Sequence, residues 1–82
     1  MQYSYQTHGV CSRRITFDLE DGCVRHVRFQ GGCSGNTQGV AALVDGMPAQ
    51  EAVRRLRGIR CGAKPTSCPD QLAIAIEQAQ KE

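Results

Sequence analysis

The chain has 82 residues, which is the size of one domain with a small core, and we read residues 1–82 as a single unit. A formal net charge of +2, from ten Lys and Arg against eight Asp and Glu, is too weak to argue for nucleic acid or an acidic membrane surface. No apolar run is long enough to span a bilayer and no signal peptide is expected at the N-terminus, so the chain reads as cytosolic, where stable disulfides are rare. Five cysteines, an odd number, also argue against a pure disulfide framework.

In chain order, residues 1–7 alternate weakly, with Tyr3 and Tyr5 on one side, and predict a short edge strand. His8 to Cys11 is a loop ending at a cysteine. Ile15, Phe17 and Leu19 alternate with polar residues, as in a half-buried strand. Asp21-Gly22 is a hairpin signal, and the return strand runs from Cys23 to Phe29. Its apolar residues Val24 and Val27 break strict alternation, which predicts a bulge between them. His26 in this strand reads as structural.

Gln30 to Asn36 holds three glycines around Cys33, which open backbone conformations closed to other residues. A helix follows, with Val40, Leu43, Val44 and Met47 suited to one face and Gly46 as its stop. Pro48 starts a second helix, with Ala52, Val53 and Leu56 inward and Arg54, Arg55 and Arg57 outward; Gly58 ends it. Cys61 and Cys68 then bracket a turn-rich loop. Pro69 and Asp70 suit a helix N-terminus, and Leu72, Ala75, Ile76 and Ala79 recur at helical spacing. Cys68 is therefore expected at the cap of the last helix, where unpaired N–H groups favour thiolate over thiol. Strands first and helices after indicate an α+β fold: a sheet of two or three antiparallel strands within 2–29, with helices near 35–46, 48–57 and 69–80 on one face.

Four cysteines, Cys11, Cys33, Cys61 and Cys68, fall in loops beside Gly, Ser or Pro at element ends, whereas Cys23 begins a strand and reads as an ordinary packed residue. Four loop thiols in a small reduced domain suit a tetrahedral zinc site with four cysteine ligands, or the ligand set of an iron–sulfur cluster. Arg13, Arg14, Arg60 and Lys64 are near enough in sequence to donate N–H groups to the sulfurs. Two alternatives from other classes stand beside this. One is a thiol–disulfide redox protein using Cys61 and Cys68. The other is a nucleotide- or flavin-phosphate site at Gly32, Ser34, Gly35 and Asn36, although the stretch matches neither a P-loop nor GxGxxG. No catalytic residue set is legible: Ser67 and Asp70 read as capping residues. The sequence leaves a homo-oligomer open.

Gly31-Gly32-Cys33, Gly35-Asn36, Gly58-Ile59, Cys61-Gly62 and Thr66-Ser67-Cys68-Pro69-Asp70-Gln71-Leu72 together resemble the TSCPD family, over nearly the whole chain. The likeness is to its short, stand-alone four-cysteine branch. A related domain lies at the C-terminus of some adenosylcobalamin-dependent ribonucleotide reductases. The resemblance implies a metal site on Cys11, Cys33, Cys61 and Cys68 and a ribonucleotide reductase or an iron–sulfur or redox protein as partner. None of the reductase's catalytic barrel is present. More distantly, Asp21-Gly22-x-Val24, Arg28-Phe29, Gly32-Cys33, Glu51-Ala52 and Cys68 before a last helix are similar to the IscU/NifU iron–sulfur scaffolds, whose three ligand cysteines fall on Cys11, Cys33 and Cys68. The scaffold's Asp two residues after its first cysteine is Arg13 here, and the His before its last is Ser67. Cys61 as a fourth ligand would make a closed, more permanent site.

Overall fold

The computed structural model describes residues 2–10, 12–31 and 34–81, with Ser34 described by its backbone alone. Three strands, β1 (Gln2–Gln6), β2 (Ser12–Glu20) and β3 (Cys23–Gly31), form an antiparallel sheet in the order β1-β2-β3. Three helices follow: α1 (Ser34–Val44), α2 (Ala49–Leu56) and α3 (Cys68–Gln80). The protein is thus α+β, with the expected elements in the expected order. Among the described residues no helix is long and apolar enough to cross a membrane.

The hairpin turns at Asp21 and Gly22, both with positive φ (52° and 79°), which matches the right-handed twist of the flanking strands. The expected bulge is present. Thr16 faces Arg28 and Asp18 faces Arg25, so β3 carries one residue more than β2 across that interval. His26 sits in it at φ 55°, its N–H donated to Asp45 Oδ1 at 3.2 Å and its ring Nδ1 2.8 Å from Asp18 Oδ2. A second register shift falls between Ser12 and Arg14.

One face of the sheet is apolar and carries the helices. Ile15, Phe17, Val24 and Val27 pack there with Val44 of α1, Ala49 and Ala52 of α2, and Leu72, Ala75, Ile76 and Ala79 of α3. Removing a side chain such as Phe17, Leu72 or Ile76 from water contributes about 1.5–3 kcal/mol. The alanines let helices approach closely, a solution suited to a chain with few large residues. Leu43 departs from expectation: it is 78% exposed. Val40 and Val44 face the core as expected, and Thr37 and Ala41 complete the covered face of α1 in place of Leu43. The helix from Ser34 to Val44 has no charged residue, so no polar face in the sequence fixes its rotation.

Residues 46–49 pair with the hairpin end of the β3 edge. Val24 N–H donates to Met47 O (2.9 Å), Gly46 N–H to Val24 O (2.6 Å) and Ala49 N–H to Gly22 O (2.8 Å). On the last pair of helices, Arg57 after α2 reaches Glu77 of α3 at 2.7 Å.

Candidate functional site

The stretch from Gly58 to Gln71 is held by side chains that reach back to backbone. Ser67 is the N-cap of α3: its hydroxyl accepts the Asp70 N–H (3.1 Å) and donates to Ile59 O (2.7 Å). Cys68 is therefore the first helical residue and not the cap, one position later than the sequence suggested. Asp70 is 4% exposed and does not serve its own helix end. It accepts the Gly58 N–H at 2.7 Å, the Thr66 hydroxyl at 2.5 Å and, at 3.4 Å, Arg57 Nη1. Burial alone would push this carboxyl's pKa up, but the Thr66 hydroxyl, the Gly58 N–H and the Arg57 charge outweigh it and hold it below its ordinary value. Gly58 turns at φ +88°, a conformation strained for any other residue, which aims its N–H at Asp70.

Gln71 joins this loop to the first part of the chain. Its side chain accepts the His8 N–H at 3.1 Å and donates to Thr66 Oγ1 at 3.0 Å. Ser12, 2% exposed, has its hydroxyl 3.1 Å from Cys68 Sγ. Within the loop, Cys61 N–H donates to Thr66 O and Lys64 N–H to Cys61 O, closing a tight turn.

Beside these anchors lies a cavity of about 100 Å³. Val10 lines it from the β1–β2 connection, Asn36 and Thr37 from the start of α1, and Cys61, Lys64 and Cys68 from the anchored loop. Cys61 is exposed and Cys68 half-buried, and both are free thiols. Cys11 and Cys33, the other two expected ligands, lie outside the described residues, as does Gly32; nothing is described of the Ser34 side chain. Val10, next to Cys11 in sequence, and Asn36, three residues after Cys33, line the same cavity as Cys61 and Cys68. Of the remaining phosphate-loop residues, Gly35 is exposed. Among the described residues, no three His, Cys, Asp or Glu side chains gather as a metal-holding group.

Cys23 is elsewhere. It pairs with Glu20 at the hairpin end of β2, whereas Ser12 at the other end touches Cys68. A nine-residue strand separates the two ends by about 25 Å. His8 is exposed, with its ring edge-on to Tyr5 at 6.5 Å. The residues that sequence reasoning missed are Ser12, Thr66 and Gln71, together with the reach of Asp70 to Gly58. The contacts of Ser12 to Cys68 and of Gln71 to His8 cross 56 and 63 positions of sequence, which no local pattern encodes, while Thr66 bonds within its own motif to Asp70 and Gln71.

No curated protein and no solved structure matches this chain. The model of the TSCPD domain family matches residues 1–80, which is where the Thr66-Ser67-Cys68-Pro69-Asp70 anchor and its cavity lie, and the chain belongs to that family.

Proposed function

We propose that this protein is a small metal-binding accessory module that holds zinc or an iron–sulfur cluster on Cys11, Cys33, Cys61 and Cys68. The observation that carries the reading is the shared cavity. Cys61 and Cys68 line it together with Val10 and Asn36, which stand next to or near Cys11 and Cys33 in the sequence. Thiols are the ligands such groups take, so the donor chemistry fits. Ser12 beside Cys68 Sγ is the hydroxyl that would support a bound sulfur from outside the ligand set. Lys64 at the rim would offset part of the charge of four thiolates.

A closed four-thiol site has no open position for substrate, so the role is structural or electron-handling and not hydrolytic. The link to ribonucleotide reduction rests on family association, and the link to cluster scaffolds on the shared order of sheet then helices. A reducing cytosol is the compartment that keeps such thiols available. A second reading has one observation in its favour: Cys61 and Cys68 are both free and face one cavity, as a dithiol–disulfide pair would require.

Elemental analysis and the absorption spectrum of anaerobically purified protein separate the two. The metal reading expects about one zinc, or iron with inorganic sulfide, per chain, with affinity falling as pH drops and the ligands protonate. Metal-free protein whose two thiols oxidise and reduce reversibly overturns it in favour of the dithiol.

A further inference from the structure

The two edges of the sheet are treated differently. The hairpin end of the β3 edge pairs with residues 46–49, whereas β1 is the terminal strand on the other side. Gln2–Gln6 carries none of the devices that blunt an edge: no charge, no proline and no register shift against β2.

The direction of its free hydrogen-bonding groups follows from the ladder. Thr7 N–H donates to Arg13 O at 3.2 Å, and Gln6 faces Arg14 one step earlier. Thr7 and Arg13 are thus a hydrogen-bonded pair. Such pairs alternate, so Tyr5–Ile15 and Tyr3–Phe17 are hydrogen-bonded pairs as well. Gln2, Ser4 and Gln6 then turn their N–H and C=O groups away from β2, toward the open edge. All three residues are exposed.

The strand reads Gln-Tyr-Ser-Tyr-Gln, the same in both directions. We propose that β1 pairs antiparallel with β1 of a second copy of this chain, about a two-fold axis at Ser4, to make one continuous sheet across the dimer. Ser4 then faces the partner's Ser4, Gln2 the partner's Gln6, and Gln6 the partner's Gln2. All are outward-turned residues, giving about six hydrogen bonds. An axis between two residues would set outward-turned groups against inward-turned ones, and an axis at Tyr3 or Tyr5 would leave fewer pairs.

The side chains agree with this register. On the helix side, Tyr3 meets the partner's Tyr5, both half-buried in the single chain, and Tyr3 already stacks on Phe17 at 5.6 Å. The aromatic row is extended and covered. On the other side the two outer rows run Arg14, Gln6, the partner's Gln2, the partner's Asp18, and the central row runs Thr16, Ser4, the partner's Ser4, the partner's Thr16. The two outer rows end in opposite charges, and the central row is uncharged, although Arg14 leans toward it, its Nη1 donating to Ser4 Oγ at 2.8 Å. A second copy is therefore the occupant that the edge fits.

The test is sedimentation of the full chain from micromolar to near-millimolar concentration, with amide hydrogen exchange read by NMR. The expected result is a mass of two chains, with Ser4 and Gln6 amides slowing as concentration rises while Tyr3 and Tyr5 amides do not change. Ser4→Lys, which places two like charges at the axis, raises the dissociation constant by at least about tenfold. Ser4→Pro does the same while keeping the monomer's ladder, because the Ser4 N–H makes no bond to β2. A monomer at every concentration overturns the proposal. So does a dimer whose Ser4 and Gln6 amides stay unprotected, or a Ser4→Lys variant that associates as tightly as the parent.

Discussion

Replacing Asp70 by Asn tests whether this carboxylate is the anchor of the Cys61–Cys68 loop. The substitution keeps size and one oxygen, so the Gly58 N–H retains an acceptor where Oδ1 accepts it at 2.7 Å. The other oxygen becomes an amide facing the Thr66 hydroxyl, which already accepts from Gln71 Nε2. Hydrogen bonds to a charged group contribute about 1.5–3 kcal/mol and neutral ones about 0.5–1.5 kcal/mol. Two well-made bonds therefore lose about 2 kcal/mol together; the 3.4 Å contact to the half-exposed Arg57 adds little. In a domain of this length that lowers the melting temperature by about 10 °C. Asp70→Ala leaves the Gly58 N–H and Thr66 hydroxyl without this acceptor and should cost about 4 kcal/mol, the lower end of the total stability of such a chain. Urea unfolding followed by circular dichroism, at neutral pH and in the metal-free state, reads both. An Asn variant within about 0.5 kcal/mol of the parent, or one as damaged as the Ala variant, refutes the reasoning.

Two further outcomes follow from the sites described. Cys23→Ser should leave the metal content unchanged while Cys33→Ser lowers it sharply, and equal loss in both would mean that the wrong four thiols were assigned. Glu51, bonded by Arg54 and then Arg55, has its carboxyl pKa lowered to about 2 from its ordinary value of 4.5. Its contribution to folding is thus present above pH 4.5 and fades as pH falls toward 2. A carbon-detected titration should find the Glu51 midpoint near 2 in the parent and higher in Arg54→Gln; a midpoint near 4.5 in the parent contradicts the ion-pair geometry.

Local rules made much of this fold legible. Alternation at Ile15, Phe17 and Leu19 marked β2, the Asp21-Gly22 pair marked the hairpin, and the break between Val24 and Val27 marked the bulge that His26 occupies. Leu72, Ala75, Ile76 and Ala79 marked the buried side of α3. What failed was Leu43 on the inner face of α1, where Val40 and Val44 do lie. Leu43 and Val44 are neighbours on a helix of uncharged residues, and only the tertiary contact at Val44 decides between them. Cys61 and Cys68 stood out in the sequence and line one cavity, but the supports of their loop did not stand out. Asp70 beside a proline reads as an ordinary helix-start charge, yet it serves Gly58, twelve positions away. Gln71 belongs to the motif, but its bond to the His8 backbone, 63 positions away, has no local signal.

The anchoring of the cavity by α3 has a consequence for the order of events at the ribosome. Chains emerge N-terminus first, and early segments can begin to fold before later ones exist. Here the hairpin and α1 emerge first, but Ser12 meets its thiol neighbour, and the His8 backbone its acceptor, only on residues 68 and 71. A nascent chain halted before α3 has Val10 and Asn36 but no Cys68, no Asp70 to fasten the loop and no Gln71 to fasten the front of the chain. It also lacks Leu72 and Ile76, two of the largest fully buried side chains. Core closure and completion of the cavity wall are therefore one late step.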